Sequence, residues 1–202
     1  REWGWGNVIV TSVATEANRR FEGMTVEEIA EARGATPVEA VLDLVLEEEN
    51  AVTMVGFSMS EEDIRTVMCS PLQMVCTDGI ILGKPHPRVY GSFPRVLGRY
   101  VRGEGVLGLE EAVRKMTSLP AQRLGLHDRG LLRPGLWADI TVFNPDTIID
   151  RATYQDPHQF PEGVEYVVVN GVVTVDGGVH TGARAGRVLR HRAAPRGSLT
   201  RK

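Results

Sequence analysis

Asp78 is the residue whose setting most invites chemistry. It follows a short apolar run, Leu72 to Cys76, that stops at Thr77-Asp78-Gly79. From there to Arg95 the residues are mostly small, polar or ring-bearing, and apolar spacing resumes only at Val96 and Leu97. A buried strand that ends on a carboxylate and opens into a Gly/Pro-rich loop is how β/α barrels present a catalytic group. Asp-Gly is also a common turn pair, so a plain turn fits the same residues. Further along, His86 reads equally as a hydrogen-bonding loop histidine or as a substrate contact. Arg88 and Arg95 carry the planar fork that holds a carboxylate at two points, and arginines equally anchor loops. Met59 fits a core methionine.

A carboxylate so placed can take a proton from water and pass it on. The five histidines, His86, His127, His158, His180 and His191, contain no HxH and no helical i, i+4 pair.

Several elements must position these groups. Residues 7–13 are β-rich and predict a strand. Thr25-Val26-Glu27-Glu28 fits a capping box, and Thr36-Pro37-Val38-Glu39 repeats it with proline at the first helical position. In the second helix Val38, Val41, Leu42 and Val45 mark the predicted inner face, and Glu47-Glu48-Glu49 a solvated end. Ser60-Glu61-Glu62-Asp63 starts a third helix, with Ile64, Val67 and Met68 facing inward. Val52–Phe57, Glu61–Met68 and Leu72–Cys76 together predict one βαβ unit with parallel strands. Leu109–Thr117 predicts a helix with Leu109, Val113 and Met116 on one side and a Glu111–Lys115 pair. From Gly125 the chain turns Gly-rich and β-branched. Ala138–Phe143 reads as a strand, and Asn170-Gly171 inside Tyr166–Val175 as a type I′ hairpin. Asp128-Arg129-Gly130 reads as an ion pair at the turn into this β layer, and Trp3, Trp5 and Trp137 as packing residues.

Taken together, Thr77-Asp78-Gly79, His86-Pro87-Arg88, Tyr90-Gly91-Ser92-Phe93-Pro94-Arg95 and the stretch Leu109 to Ala121 resemble the D-aminoacylase (N-acyl-D-amino-acid deacylase) family of the amidohydrolase superfamily. In that family a strand ending in Ser-Asp-Gly leads to His-Pro-Arg, then to Tyr-Gly-Thr-Phe-Pro-Arg. The resemblance runs to about Val188, with conservative departures such as Thr77 for serine. It implies an α/β fold, the C-terminal part of a metal-dependent hydrolase TIM-like (β/α)8 barrel plus part of a small β-sandwich domain. Residues 1–125 would be barrel, 126–190 the small β domain, and 191–202 a basic, disordered tail. The strands at 52–57 and 72–76 would then be the last two of the barrel.

The resemblance also implies roles. Asp78 would be general base and acid and would touch zinc at its edge, the other ligands lying on earlier strands outside this sequence. Met59, His86 and Arg88 would bind substrate, a small-molecule N-acyl-D-amino acid hydrolysed to a carboxylate and a D-amino acid. The missing walls would come from preceding residues or from another copy of the chain, so the 202 residues alone should be inactive. Two alternatives stay open: a cyclic-amide hydrolase of dihydroorotase or imidase type, and a non-catalytic interaction module built on the β layer and tail.

Composition sets outer bounds. The chain is 42% hydrophobic and 24% charged, as in soluble globular proteins. No apolar run approaches the roughly 20 residues that span a bilayer. Arg1-Glu2-Trp3-Gly4 has neither an initiator Met nor a signal-peptide pattern and reads as the interior of a longer gene product. Cys69 and Cys76 form no CxxC and read as reduced core residues of a cytoplasmic protein. After Asp176 the chain has basic residues and no acid, so the formal charge of −3 belongs to an acidic body with a basic end. Such a body argues against a nucleic-acid enzyme.

Overall fold

The computed structural model describes residues 4–81 and 84–190. The basic end at 191–202 and Trp3 lie outside the described residues. The chain begins with strand β1 (Val8–Ser12), then helices α1 (Val26–Arg33) and α2 (Pro37–Glu47), strand β2 (Thr53–Gly56) and helix α3 (Glu61–Cys69). All three helices start on complete capping boxes, at Thr25 with Glu28, Thr36 with Glu39, and Ser60 with Asp63. Each hydroxyl accepts the N3 amide while the N3 carboxylate accepts the cap amide, which satisfies donors that a helix start otherwise leaves bare.

Strand β2 pairs with β1, antiparallel, with Ile9 opposite Val55. The predicted parallel unit is thus not formed among the described residues. Residues 72–76 are irregular, with no strand partner among the described residues; Gln73 N donates to Ser70 O and Val75 N to Lys115 O, each at 3.2 Å. A strand exists only with a hydrogen-bonded neighbour, and none is present for this run. Val10, Phe21, Ile29, Ala40 and Leu44 make the first core. On α2 the buried positions are therefore Ala40 and Leu44, while Val38 and Leu42, expected inside, are exposed, as is Val67 on α3. Glu48, expected in solvent, is buried, because four donors close around it.

Helix α4 (Arg88–Arg95) begins within the stretch read as loop up to Arg95 and runs directly into π-helical turns at Val96–Gly103. Pro94 lies inside α4 with no amide to donate, and a widened ladder follows such a residue readily. Two short helices, α5 (Leu109–Met116) and α6 (Ser118–Arg123), come next, then a four-stranded antiparallel meander: β3 (Ile140–Phe143), β4 (Val164–Val169), β5 (Val172–Asp176) and β6 (Val179–His180). Asn170 and Gly171 both take positive φ at the β4–β5 turn, as a type I′ hairpin requires.

A second core joins helices to this sheet through Met68, Val96, Leu97, Tyr100, Ala112 and Ile148. Ile148 is gripped by two glycines. A Cβ on Gly98 would fall 2.3 Å from its carbonyl oxygen, and one on Gly163 2.5 Å from its nitrogen. On α5 the buried residues are Ala112 and Lys115 and not the expected Leu109 and Val113. Lys115 is wholly enclosed and donates to the carbonyls of Ser70 and Gln73, the latter at 3.3 Å, which pins the segment leading to Asp78. Its pair with Glu111 forms at 3.8 Å. The thiols of Cys69 and Cys76 are free and exposed, a correction to their reading as core residues. Nothing among the described residues covers Cys76.

Candidate functional site

The site is built where the pinned segment meets the start of α4. Beyond Gln73 the chain runs irregularly to Asp78, which adopts φ 45°, a left-handed conformation uncommon for a side-chain-bearing residue. Its carboxylate points outward, 74% exposed, and Arg88 holds it from one side. Arg88 Nη2 lies 2.6 Å from Asp78 Oδ2, and Arg88 Nε donates to the Asp78 carbonyl at 2.9 Å. One guanidinium thus fixes both ends of the residue, which stabilises the strained backbone.

His86 precedes α4 and is half-buried. The Arg88 amide donates to its Nδ1 at 3.0 Å, and its Nε2 lies 3.4 Å from the Tyr154 hydroxyl. Burial pushes the His86 pKa below the usual histidine value; Arg88 and Arg95 add to this and Asp78 opposes it. The ring is therefore mainly neutral at pH 7. Burial raises the Tyr154 phenol, against the pull of Arg95 and Arg88. Tyr154 also meets Phe57 edge-to-face, with ring centroids 4.9 Å apart. Met59, after Phe57, stands 71% exposed at the N-terminal approach to α3, so it is not a core residue.

Arg95, the other candidate carboxylate holder, turns away to Asp150, 3.0 Å, beneath α4. The loop and α4 thus bring Asp78, His86 and Arg88 together, whereas Arg95 serves the packing of α4 on the segment around Asp150. Sequence reasoning missed Tyr154, Tyr90, His158 and Asp150. A signal for three of them exists: His86-xxx-Tyr90 is mirrored by Tyr154-xxx-His158. Elsewhere Asp128 and Asp139 both pair with Arg129, at 3.2 and 2.6 Å, as the ion-pair reading expects. Trp137 is partly exposed, donates to Asp128 and lies under Arg187.

The residues present do not by themselves make a zinc site. Among the described residues no three His, Cys, Asp or Glu side chains are grouped to hold a metal ion, and Asp78 offers a single carboxylate. What it can do unaided is exchange a proton with a molecule approaching its open face. No helix among the described residues is long and apolar enough to cross a membrane.

The chain is similar to known proteins over most of its length. The model of the amidohydrolase family Amidohydro_3 matches residues 2–175. A D-aminoacylase of Alcaligenes xylosoxydans xylosoxydans is 39% identical over 175 residues, which is 86% of this chain and 35% of that protein. An N-acyl-D-glutamate deacylase of the same organism is 42% identical over 177 residues, 87% of this chain and again 35% of the relative. Among solved structures, a D-aminoacylase superposes with a TM-score of 0.84 at 37% identity, covering 92% of this chain and 38% of its own. An N-acyl-D-glutamate deacylase from Bordetella bronchiseptica, complexed with zinc and a phosphonate mimic of the tetrahedral intermediate, superposes with a TM-score of 0.81 at 36% identity. The chain spans about a third of the length of the relatives it matches. With its α/β fold matching one portion of D-aminoacylase and the family pattern covering most of its length, the chain belongs to the amidohydrolase family.

Proposed function

We propose that this chain is the C-terminal share of a zinc-dependent N-acyl-D-amino-acid deacylase built on a β/α barrel. Residues up to about 125 form barrel and those from 126 the small β domain. The observation that carries this reading is Asp78: a carboxylate held in a left-handed backbone by Arg88, with its outer face open. In the reaction, water adds to the amide carbon and Asp78 takes its proton. As the C–N bond breaks, Asp78 returns that proton to the leaving nitrogen, giving a carboxylate and a D-amino acid. Arg88 is placed to meet the substrate carboxylate as well as Asp78. Met59 borders the apolar side chain, and neutral His86 contributes a hydrogen bond or shape. Asp78 would touch zinc at its edge, with the remaining ligands coming from outside this chain, and the bound metal would polarise the amide carbonyl and acidify the attacking water.

Exposed apolar surface supports an incomplete barrel over a closed module. Among the described residues strand β2 has a neighbour on one side only, and Met54, Leu72, Ile80 and Ile81 are all more than half exposed. Such a surface needs a cover. A cytoplasmic location fits the two free thiols. The test is to assay the 202 residues alone, and again joined to the residues that precede them in the gene. The joined protein should deacylate N-acetyl-D-amino acids after chelation and zinc re-addition, whereas the chain alone should neither turn over nor keep stoichiometric zinc. Robust turnover by the chain alone would overturn the reading.

A further inference from the structure

Two tyrosine–histidine pairs tie the start of α4 to a segment 68 residues away. His86 and Tyr90 stand one helical turn apart, and Tyr154 and His158 repeat that spacing in the opposite order. The Tyr90 hydroxyl lies 3.1 Å from His158 Nδ1, and the Tyr154 hydroxyl 3.4 Å from His86 Nε2. Both pairs of rings meet edge-to-face, at 5.8 and 5.1 Å. Asp150, at the head of the same segment, bonds Arg95 near the end of α4.

The polarity of the first pair follows from the backbone. His86 Nδ1 accepts the Arg88 amide, 3.0 Å, so that nitrogen carries no proton. In the neutral ring the proton is then on Nε2, where it faces the Tyr154 oxygen. Arg88 in turn grips Asp78 at carboxylate and carbonyl. A continuous chain of contacts runs from Tyr154 through His86 and Arg88 to Asp78. We infer that the segment from Asp150 to Pro161 is a positioning strap, with Tyr154 fixing His86, the Arg88 backbone and so the direction in which Asp78 presents its carboxylate. The catalytic consequence rests on the deacylase reading above; the contact chain does not. Tyr154 is a positioning residue and touches no substrate in this scheme.

Tyr154→Phe in the zinc-loaded whole enzyme tests it, because phenylalanine keeps the ring packing and removes only the hydroxyl. Hydrogen exchange at the Arg88 amide should accelerate roughly tenfold, the scale of one lost net hydrogen bond. kcat should fall about fivefold, with Tm lowered by no more than a few degrees. Combining it with His86→Ala should speed exchange no further than His86→Ala alone. Tyr166→Phe, on β4 away from the site, should change neither readout. Unaltered Arg88 exchange in Tyr154→Phe would overturn the strap, and faster exchange with unaltered kcat would overturn its role in placing Asp78. Faster exchange in a wild-type background that deacylates nothing would support the strap and overturn only the deacylase reading.

Discussion

Glu48 follows a helix and Asp78 lies in an irregular segment, and the chain treats these two carboxylates in opposite ways. Glu48, after α2, is 2% exposed and accepts from the Ala14 amide at 2.5 Å, the Thr15 amide at 2.8 Å, the Asn18 side-chain amide at 2.7 Å and the Thr15 hydroxyl. Burial pushes its pKa up, but the side-chain bonds from Thr15 and Asn18 and the amides of Thr15 and Ala14 outweigh that and bring it to about 2. Asp78 has one arginine, a left-handed backbone and an open face. A charge whose role is to hold a loop is enclosed by donors; one whose role is to exchange protons must stay accessible and be fixed from one side only.

Substitutions can break or sharpen that contrast. The largest effect is expected for Asp78→Asn in the whole enzyme, a roughly 10³-fold loss of kcat with the fold retained, as its circular dichroism spectrum would show. Glu48→Gln should do the reverse, lowering Tm at pH 7 with kcat per folded molecule preserved. The pH dependence has a definite sign. Because the folded Glu48 carboxyl sits near 2, below its unfolded range near 4.5, its stabilisation is fully present above that range. It is lost as pH falls from about 4.5 to 2. Thermal melts across that window should slope downward in the wild type and less steeply in Glu48→Gln, so the two converge in acid. Parallel curves would show that Glu48 is not the group responsible.

Lys115→Met removes the donor that pins Ser70 and Gln73 and should cost roughly 2 kcal/mol through the carbonyls left unpaired. Denaturant titration measures it, and a change within error would mean that water replaces the ammonium. The smallest effect is expected for Arg88→Lys, which keeps the charge but not the fork and should raise KM roughly tenfold. An unchanged KM would assign Arg88 to holding Asp78 alone.

Local chemistry was readable in the sequence wherever the cause was local. The capping boxes at Thr25 and Thr36, the helix start at Ser60, the Asn170-Gly171 turn and the Asp128–Arg129 ion pair depend on residues close together in the chain, and all form as read. Positions decided by distant partners were not readable. Glu48 looks like one of three solvated acids until Ala14, Thr15 and Asn18 converge on it. Val38 and Leu42 look buried because their spacing is helical, yet nothing among the described residues covers them. Residues 72–76 have the composition of a strand and lack the neighbour that would make them one. At the site, Asp78, His86 and Arg88 were visible because they share one loop. Tyr154 left only the mirrored Tyr-xxx-His spacing as a trace, because its contact with His86 spans 68 residues.

The most direct measurement is a structure of the whole protein with zinc and a phosphonate mimic of the tetrahedral intermediate. The Asp78 carboxylate should lie about 3 Å from a phosphonate oxygen or from the position of the leaving nitrogen, with Arg88 still bonded to its backbone. A structure in which Asp78 faces bulk solvent, away from the inhibitor and the metal, would contradict its assignment as the proton-transferring group.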